Sequence, residues 1–429
     1  MTADASFSLS PTHAPKPSPV VRRVALWTDH VSDAFRLEAE PMIDDAMQAT
    51  GLEAWGDPSF REGLDRLLYS ARNDAALNGI GRVTLRWSVS SALRARLRQV
   101  KAAQARPEAL ARPLRRPVVI AAPPRCGTTL LQRLLAAHPD AMSLPLWLAL
   151  DPFPGPSASE WAQGGSASRR ARAHVVAGAM DAFMPAMRAI HATAPDLAVE
   201  CTWLMLPAFQ SVQWMTSWPV HSYADWLVHQ DGANAYRWLR QALQILQADL
   251  QGSHWILKAP GHFSALPAVL DTLPEALVVQ LHRDPAVFVG SVASLVALPH
   301  HVHSNRPEYP RSVQRMVDSL VAGGEAAVAE RARRGPERFM DLAFADLAND
   351  PLAAARQVAD RAGMRWDDEV ARTMSTYLRL HSEAGPGKHD YPLDAWGLDP
   401  VAVRRRFRGY IEHFNIPVRG AAAAPWSDQ

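Results

Sequence analysis

The chain has 429 residues and is 48% apolar, enough to bury the core of one large domain or two smaller ones. Its 45 basic and 43 acidic side chains leave a net charge of +2, which excludes bulk attraction to nucleic acid or to a membrane surface as the basis of its action. Its two cysteines, Cys126 and Cys201, stand in no ligand spacing, which argues against a disulfide scaffold and a zinc site, and no run approaches the ~18 consecutive apolar residues that span a bilayer.

Residues 1–25 are rich in Pro and Ser and read as a disordered leader. They carry no apolar core followed by a small-residue cleavage site, so the cytoplasm is the expected location. Residues 26–112 repeat apolar side chains at spacings of three and four, interrupted by Gly51, Gly56-Asp57-Pro58 and Gly79, and predict a helical N-terminal subdomain. The arginine-rich stretch 82–116 reads as a solvated helix face. Only four of the basic residues are lysines, Lys16, Lys101, Lys258 and Lys388. A site that needs a compact ammonium cannot simply accept arginine, so these positions are informative.

From residue 113 the pattern changes. The run Val118 to Ala122 predicts a strand buried on both faces of a parallel sheet. A Pro-rich turn follows, then a helix over Thr129 to Ala137 that ends at His138-Pro139. Further strands are expected in "HWILKAP" (254–260), "ALVVQLHRDP" (276–285) and "RFMDLAF" (338–344). Strands alternating with helices predict an α/β fold of the P-loop type, three-layered, with a mostly parallel central sheet, over residues 113–418; a short tail, 419–429, follows. A helical insertion at about 155–250 carries Trp203, Trp214, Trp218, Trp226 and Trp238. Core packing accounts for any one of them; together they also suit an apolar acceptor pocket.

Strand, loop and helix at 118–137 form the arrangement in which backbone amides and a helix N-terminus converge on a phosphate. The loop "PPRCGTT" lacks the lysine and the first glycine of a nucleoside triphosphatase loop, which disfavours ATP or GTP hydrolysis. Its nearby cation is Arg125. His282-Arg283-Asp284 copies a protein-kinase tripeptide, but Val289 stands where that motif needs Asn.

"PPRCGTT" resembles the 5'-phosphosulfate loop of sulfotransferases that use 3'-phosphoadenosine 5'-phosphosulfate (PAPS). "HRDPAVFVGSVASL" is similar to that family's 3'-phosphate segment, with Arg283 ending a strand and Ser291 eight residues on. "GLEAWGDPSFREGLDRLL", "PDLAVECTWLML", "HWILKAPGHFSALPAVLDTLP" and "GKHDYPLDAWGLDPVAVRRRF" extend the resemblance, over about residues 40–415, to a bacterial branch with a helical N-terminal region. The resemblance implies that Arg125, Cys126, Gly127, Thr128 and Thr129 hold the 5'-phosphate, with Arg125 also at the leaving oxygen. It implies that Arg283 and Ser291 grip the 3'-phosphate and that PAP is released.

Cys126 replaces the family's usual serine, so a hydroxyl contact is lost there while amide contacts survive. Lys258 matches a lysine that contacts the sulfonate. The family's cytosolic members place their base histidine two residues after it; here His262 follows at four, and Glu200 is its competitor, since other branches use a glutamate. Relatives often carry Trp-Glu where this chain has Trp147-Leu148. Lys388, with His389 and Tyr391, fits a basic lid over the donor or an exposed turn. His300, His301 and His303 read as loop histidines near an acceptor mouth, with no partner at metal-ligand spacing. The implied enzyme needs no metal, no nucleic-acid partner and no membrane span. Its partner is a small-molecule acceptor, with a hydroxyl expected ahead of an amine and a hydrophobic character; its oligomeric state, a homodimer included, is open. Two alternatives stand beside this reading, a PAP-binding protein without turnover and a P-loop kinase.

Overall fold

Val118 to Ala122, the apolar run ahead of the loop that carries Arg125 to Gly127, is buried at every position and supplies the central strand β1 (Val118–Ile120). The computed structural model describes residues 19–30, 35–185, 187, 192–382 and 393–418. Four further strands, β2 (Ala141–Met142), β3 (His254–Lys258), β4 (Leu277–His282) and β5 (Phe339–Ala343), complete a five-stranded sheet of order β2-β3-β1-β4-β5. Every pairing is parallel, as expected of strands whose residues are apolar on both faces. The chain leaves β1 toward β2 and β3 on one side, then crosses to β4 and β5 on the other. The loop after β1 therefore lies at the switch point of the sheet, the position at which open α/β folds bind ligands.

The N-terminal region is helical, with α1 (Pro19–His30), α2 (Ala39–Thr50), α3 (Phe60–Asn73) and α4 (Gly79–Ala105). Helix α1 begins at Pro19, inside the stretch expected to be a leader; residues 1–18 lie outside the described residues. Leu64, Leu67, Leu93 and Leu97 of α3 and α4 share one apolar cluster with Phe209, Trp214, Trp218 and Tyr223. Asn78 caps α4 by accepting from Gly81 N at 2.8 Å and donates to Val302 O at 2.9 Å, which fastens this layer to the helix Pro285–His303. Gly81 is required there, because a Cβ would stand 2.1 Å from His303 O.

The arginine-rich face of α4 is not wholly solvated. Arg96 is fully buried, its guanidinium 4.1 Å from the Phe60 ring centre and 4.0 Å from that of Trp238. It donates to the carbonyls of Trp55, Pro207 and Asp57. An arginine fork satisfied by three carbonyls between two aromatic faces is a buried cation that the fold tolerates.

The Pro285–His303 helix is long and apolar enough to cross a bilayer, but 78% of its apolar window is buried within the fold. It is a core helix packed among other helices of the fold. The histidines near its end are helical rather than on a loop: His300 Nε2 lies 3.0 Å from Met215 O, His303 Nδ1 lies 2.8 Å from Ser217 O, and His301 Nδ1 lies 2.9 Å from the Tyr309 hydroxyl. They fasten helices together. Trp214 stacks on Phe209, and Trp218 on His303, so the tryptophans of 203–238 serve mainly as packing rather than as a pocket wall. Trp238 also lines an open cleft of about 400 Å³ with Val100, Leu110, Asn234 and Gln241.

Candidate active site

The loop leaving β1 turns through two left-handed residues, Arg125 at φ 69° and Gly127 at φ 80°. Arg125 is a non-glycine residue in that uncommon region, and the bend tucks Cys126 fully inside. Gly127 precedes the helix Thr128–Ala136 without a side-chain cap, and the first helical bond runs from Leu131 N to Gly127 O at 3.0 Å. The amides of Thr128, Thr129 and Leu130 therefore precede the helical ladder at its positive end, where an anion is favoured. A Cβ on Gly127 would stand 2.6 Å from Leu347 Cδ2, so packing and backbone both require glycine.

On one side of this loop Lys258 ends β3, in register with Ile120. Its side chain is 2% exposed and its Nζ lies 2.8 Å from Glu200 Oε1. Glu200 is held there by its neighbours: Cys201 N donates to Lys258 O at 2.9 Å, Gln132 Nε2 to Val199 O at 2.9 Å, and Val199 N to Leu144 O at 2.8 Å. The glutamate keeps 21% of its side chain exposed.

His262 is nearby but fully buried, in the short helix Gly261–Ser264. Its Nδ1 lies 2.8 Å from the Tyr236 hydroxyl, and its Nε2 is buried without a hydrogen-bond partner among the described residues. Burial pushes its pKa down to about 3, against the opposing charge of Glu200 and with a smaller push the same way from Lys258.

On the other side Arg283 follows β4. It donates to Arg125 O at 2.7 Å and its guanidinium lies 4.0 Å from the Phe344 ring centre. Ser291, 2% exposed in the Pro285–His303 helix, has a buried hydroxyl with no partner among the described residues. Burial pushes the Cys126 thiol up to about 12 against the opposing charges of Arg283 and Arg125. Leu148 is fully buried in the helix Leu146–Leu150, so the position at which relatives often have a carboxylate is apolar here. Lys388 lies outside the described residues, as do His389 and Tyr391. Among the described residues no group of three or more His, Cys, Asp and Glu side chains could hold a metal ion.

The structure thus brings Arg125, Cys126 and Arg283 together on one side of the loop, and Lys258, Glu200 and His262 on the other. Sequence reasoning missed Tyr236, Gln132 and Phe344. Tyr236 and Gln132 sit within ordinary helical patterns, and Phe344 begins the short helix Phe344–Asn349 after β5, so none carries a local signal.

Residues 117–368, more than half of the chain, match the sulfotransferase family. The chain belongs to that family. Among solved structures it is similar to the sulfotransferase STF1 of Mycobacterium tuberculosis, at 30% identity and TM-score 0.75 over 87% of this chain and 98% of that one. It is also similar to sulfotransferase STF9 of Mycobacterium avium, at 26% identity and TM-score 0.80 over 89% of this chain and 98% of that one. A curated relative, the omega-hydroxy-beta-dihydromenaquinone-9 sulfotransferase Stf3 of Mycobacterium bovis, is 23% identical over 172 residues, 38% of this chain. That match spans 43% of the relative's length. The expected α/β architecture with its parallel sheet is the one these sulfotransferase structures share.

Proposed function

We propose that this sulfotransferase-family chain moves the sulfuryl group of PAPS to a hydroxyl of a small apolar acceptor and releases PAP. The observation that carries the reading is the Lys258–Glu200 pair, a cation and a carboxylate at the end of the strand beside the phosphate loop. The residues present suit the donor. The amides and hydroxyls of Thr128 and Thr129 would hold the 5'-phosphate, with the amides of Cys126 and Gly127 beside them, and Arg283 and Ser291 the 3'-phosphate. The buried Ser291 hydroxyl supports this, since polar groups are seldom left without a partner inside a fold.

In the transfer, the bond between sulfur and the 5'-phosphate oxygen breaks with its electron pair left on that oxygen, and a bond from sulfur to the acceptor oxygen forms. Arg125 and Lys258 stabilise the charge that develops on the sulfuryl and leaving oxygens, by analogy with phosphoryl transfer. The acceptor proton passes to the Glu200 carboxylate, which is partly exposed and already beside Lys258. His262 is a weaker candidate for base because its ring is fully buried and bound to Tyr236. Its unpartnered Nε2 favours a second reading, in which movement around the site brings that nitrogen to the acceptor.

The acceptor reading draws on two supports. The curated relatives are named for an omega-hydroxylated dihydromenaquinone. Leu148 puts an apolar, fully buried side chain at the position where the family resemblance implies a carboxylate, which leaves no charge there. We infer a terminal hydroxyl on an apolar chain.

Calorimetry with PAP, ADP and ATP on the wild type and Arg283→Ala tests the donor site, and PAP release from PAPS with long-chain alcohols, hydroxylated isoprenoids, phenols and sugars tests the transfer. PAP is expected to bind well above ADP, and Arg283→Ala to erase the difference. Equal binding of PAP and ADP by the wild type would sink the reading. PAP binding without release in the presence of any acceptor would favour a protein that binds the nucleotide without turnover.

A further inference from the structure

Arg283 stands between two residues that are each held by the C-terminal helices. On one side, His282 Nε2 lies 2.8 Å from Asp341 Oδ1 and its Nδ1 lies 2.7 Å from the Tyr410 hydroxyl. A carboxylate only accepts, so Nε2 donates to Asp341 and Nδ1 accepts from Tyr410. Arg331 binds both Asp341 and Gln280, and the Phe414 ring stacks on His282 with centres 4.2 Å apart. On the other side, Asp284 accepts from Ala286 N at 3.0 Å, capping the helix that carries Ser291. The same carboxylate takes both prongs of Arg404, at 3.1 and 2.8 Å, in a pair whose side chains are 11% and 4% exposed.

Tyr410 and Arg404 come from two successive short helices, Arg408–His413 and Pro400–Arg406, more than a hundred positions along the chain from the tripeptide they grip. Bidentate pairing and a buried hydroxyl bond fix geometry as well as supply energy. Arg283 itself reaches back to Arg125 O, so a displacement of its backbone would move both a 3'-phosphate ligand and the phosphate loop. Displacements of about 1 Å are enough to spoil such recognition.

We propose that the C-terminal helix pair positions Arg283 for the donor's 3'-phosphate, Tyr410 acting through His282 and Arg404 through Asp284. This rests on the reading of Arg283 as the 3'-phosphate ligand. The consequence is a selective one. Loosening the pair lowers affinity for a nucleotide that carries a 3'-phosphate and spares one that does not.

The test uses the full chain with Tyr410→Phe and with Arg404→Gln, each removing hydrogen-bonding groups while keeping most of the side-chain volume, and with thermal unfolding to establish folding. PAP and ADP are titrated calorimetrically into each. PAP affinity is expected to fall about fivefold to thirtyfold, the effect of one lost hydrogen bond or charged pair, with ADP affinity within about twofold of wild type. Arg404→Lys restores charge without the fork and should recover only part of the loss. Unchanged PAP binding in both variants overturns the proposal. So does a proportionate loss of PAP and ADP, which would mean that the helices only support the fold. Should the wild type bind PAP no more tightly than ADP, the role of Arg283 fails first and this inference falls with it, an outcome read before any variant is compared.

Discussion

Lys258 and Glu200 form a 2.8 Å ion pair in which the lysine is almost wholly buried and the glutamate is not. A buried cation is tolerated where it is paired, and the Lys258–Glu200 contact fixes the carboxylate at the C-terminal end of β3. Glu200→Gln should lower turnover by about 10²–10⁴-fold while leaving PAP affinity within about threefold. Steady-state rates set beside calorimetry separate the two. Retention of more than half the activity would hand the base role to His262.

Acid should destabilise the fold through buried histidines. Burial pushes His262 and His300 from 6.5 down to about 3, and His303 to about 4. The unfolded chain binds these protons below about pH 6.5 and the folded chain does not. Their contribution is thus fully present above that pH and is lost as pH falls toward 4 and 3, at up to ~1.4 kcal/mol per pH unit for each histidine. Denaturant midpoints from pH 7.5 to 5 should fall accordingly, and His300→Asn should flatten the slope. A flat profile in the wild type would contradict this account.

Cys126 should be inert in the native state, being fully buried with its thiol pushed up to about 12. Alkylation by iodoacetamide at pH 8 is expected to run about a thousandfold slower than for an exposed thiol, because the thiolate is the reactive species. Cys126→Ala should bind PAP within about threefold of wild type, since the contact proposed at this position is the backbone amide. Rapid native-state labelling, followed by mass spectrometry, would show the loop to be open in solution.

Arg96→Met should destabilise the chain by about 3–5 kcal/mol, because it leaves the carbonyls of Trp55, Pro207 and Asp57 without a donor inside the fold. Thermal unfolding measures it. A change below about 1 kcal/mol would mean that water reaches these carbonyls.

Much of the sheet was legible because its strands are short, apolar on both faces and bounded by turns, as Val118 to Ala122 shows. Strand β2 was not, since Ala141–Met142 is two residues long and has no period to detect. The phosphate loop and Arg283 carried local motifs. The packing partners of Arg96, His300 and Trp214 did not, because periodicity tells which side of a helix is apolar but not what lies against it. The offset between Lys258 and His262 left the histidine's role open in the sequence, and the folded chain adds that its ring is fully buried against Tyr236. Tyr410 and Arg404 act on residues so distant in sequence that only the folded chain shows the connection.

The apolar cluster that joins Leu64, Leu67, Leu93 and Leu97 to Phe209, Trp214, Trp218 and Tyr223 also sets an order of events during synthesis. Helices α2 to α4 emerge from the ribosome long before residues 206–227 exist to cover them. Until then their apolar faces are exposed to water and to one another, the condition under which nascent chains associate or recruit chaperones. A fragment ending before residue 206 should therefore aggregate when expressed alone, and a second fragment supplying the missing cover should rescue its solubility.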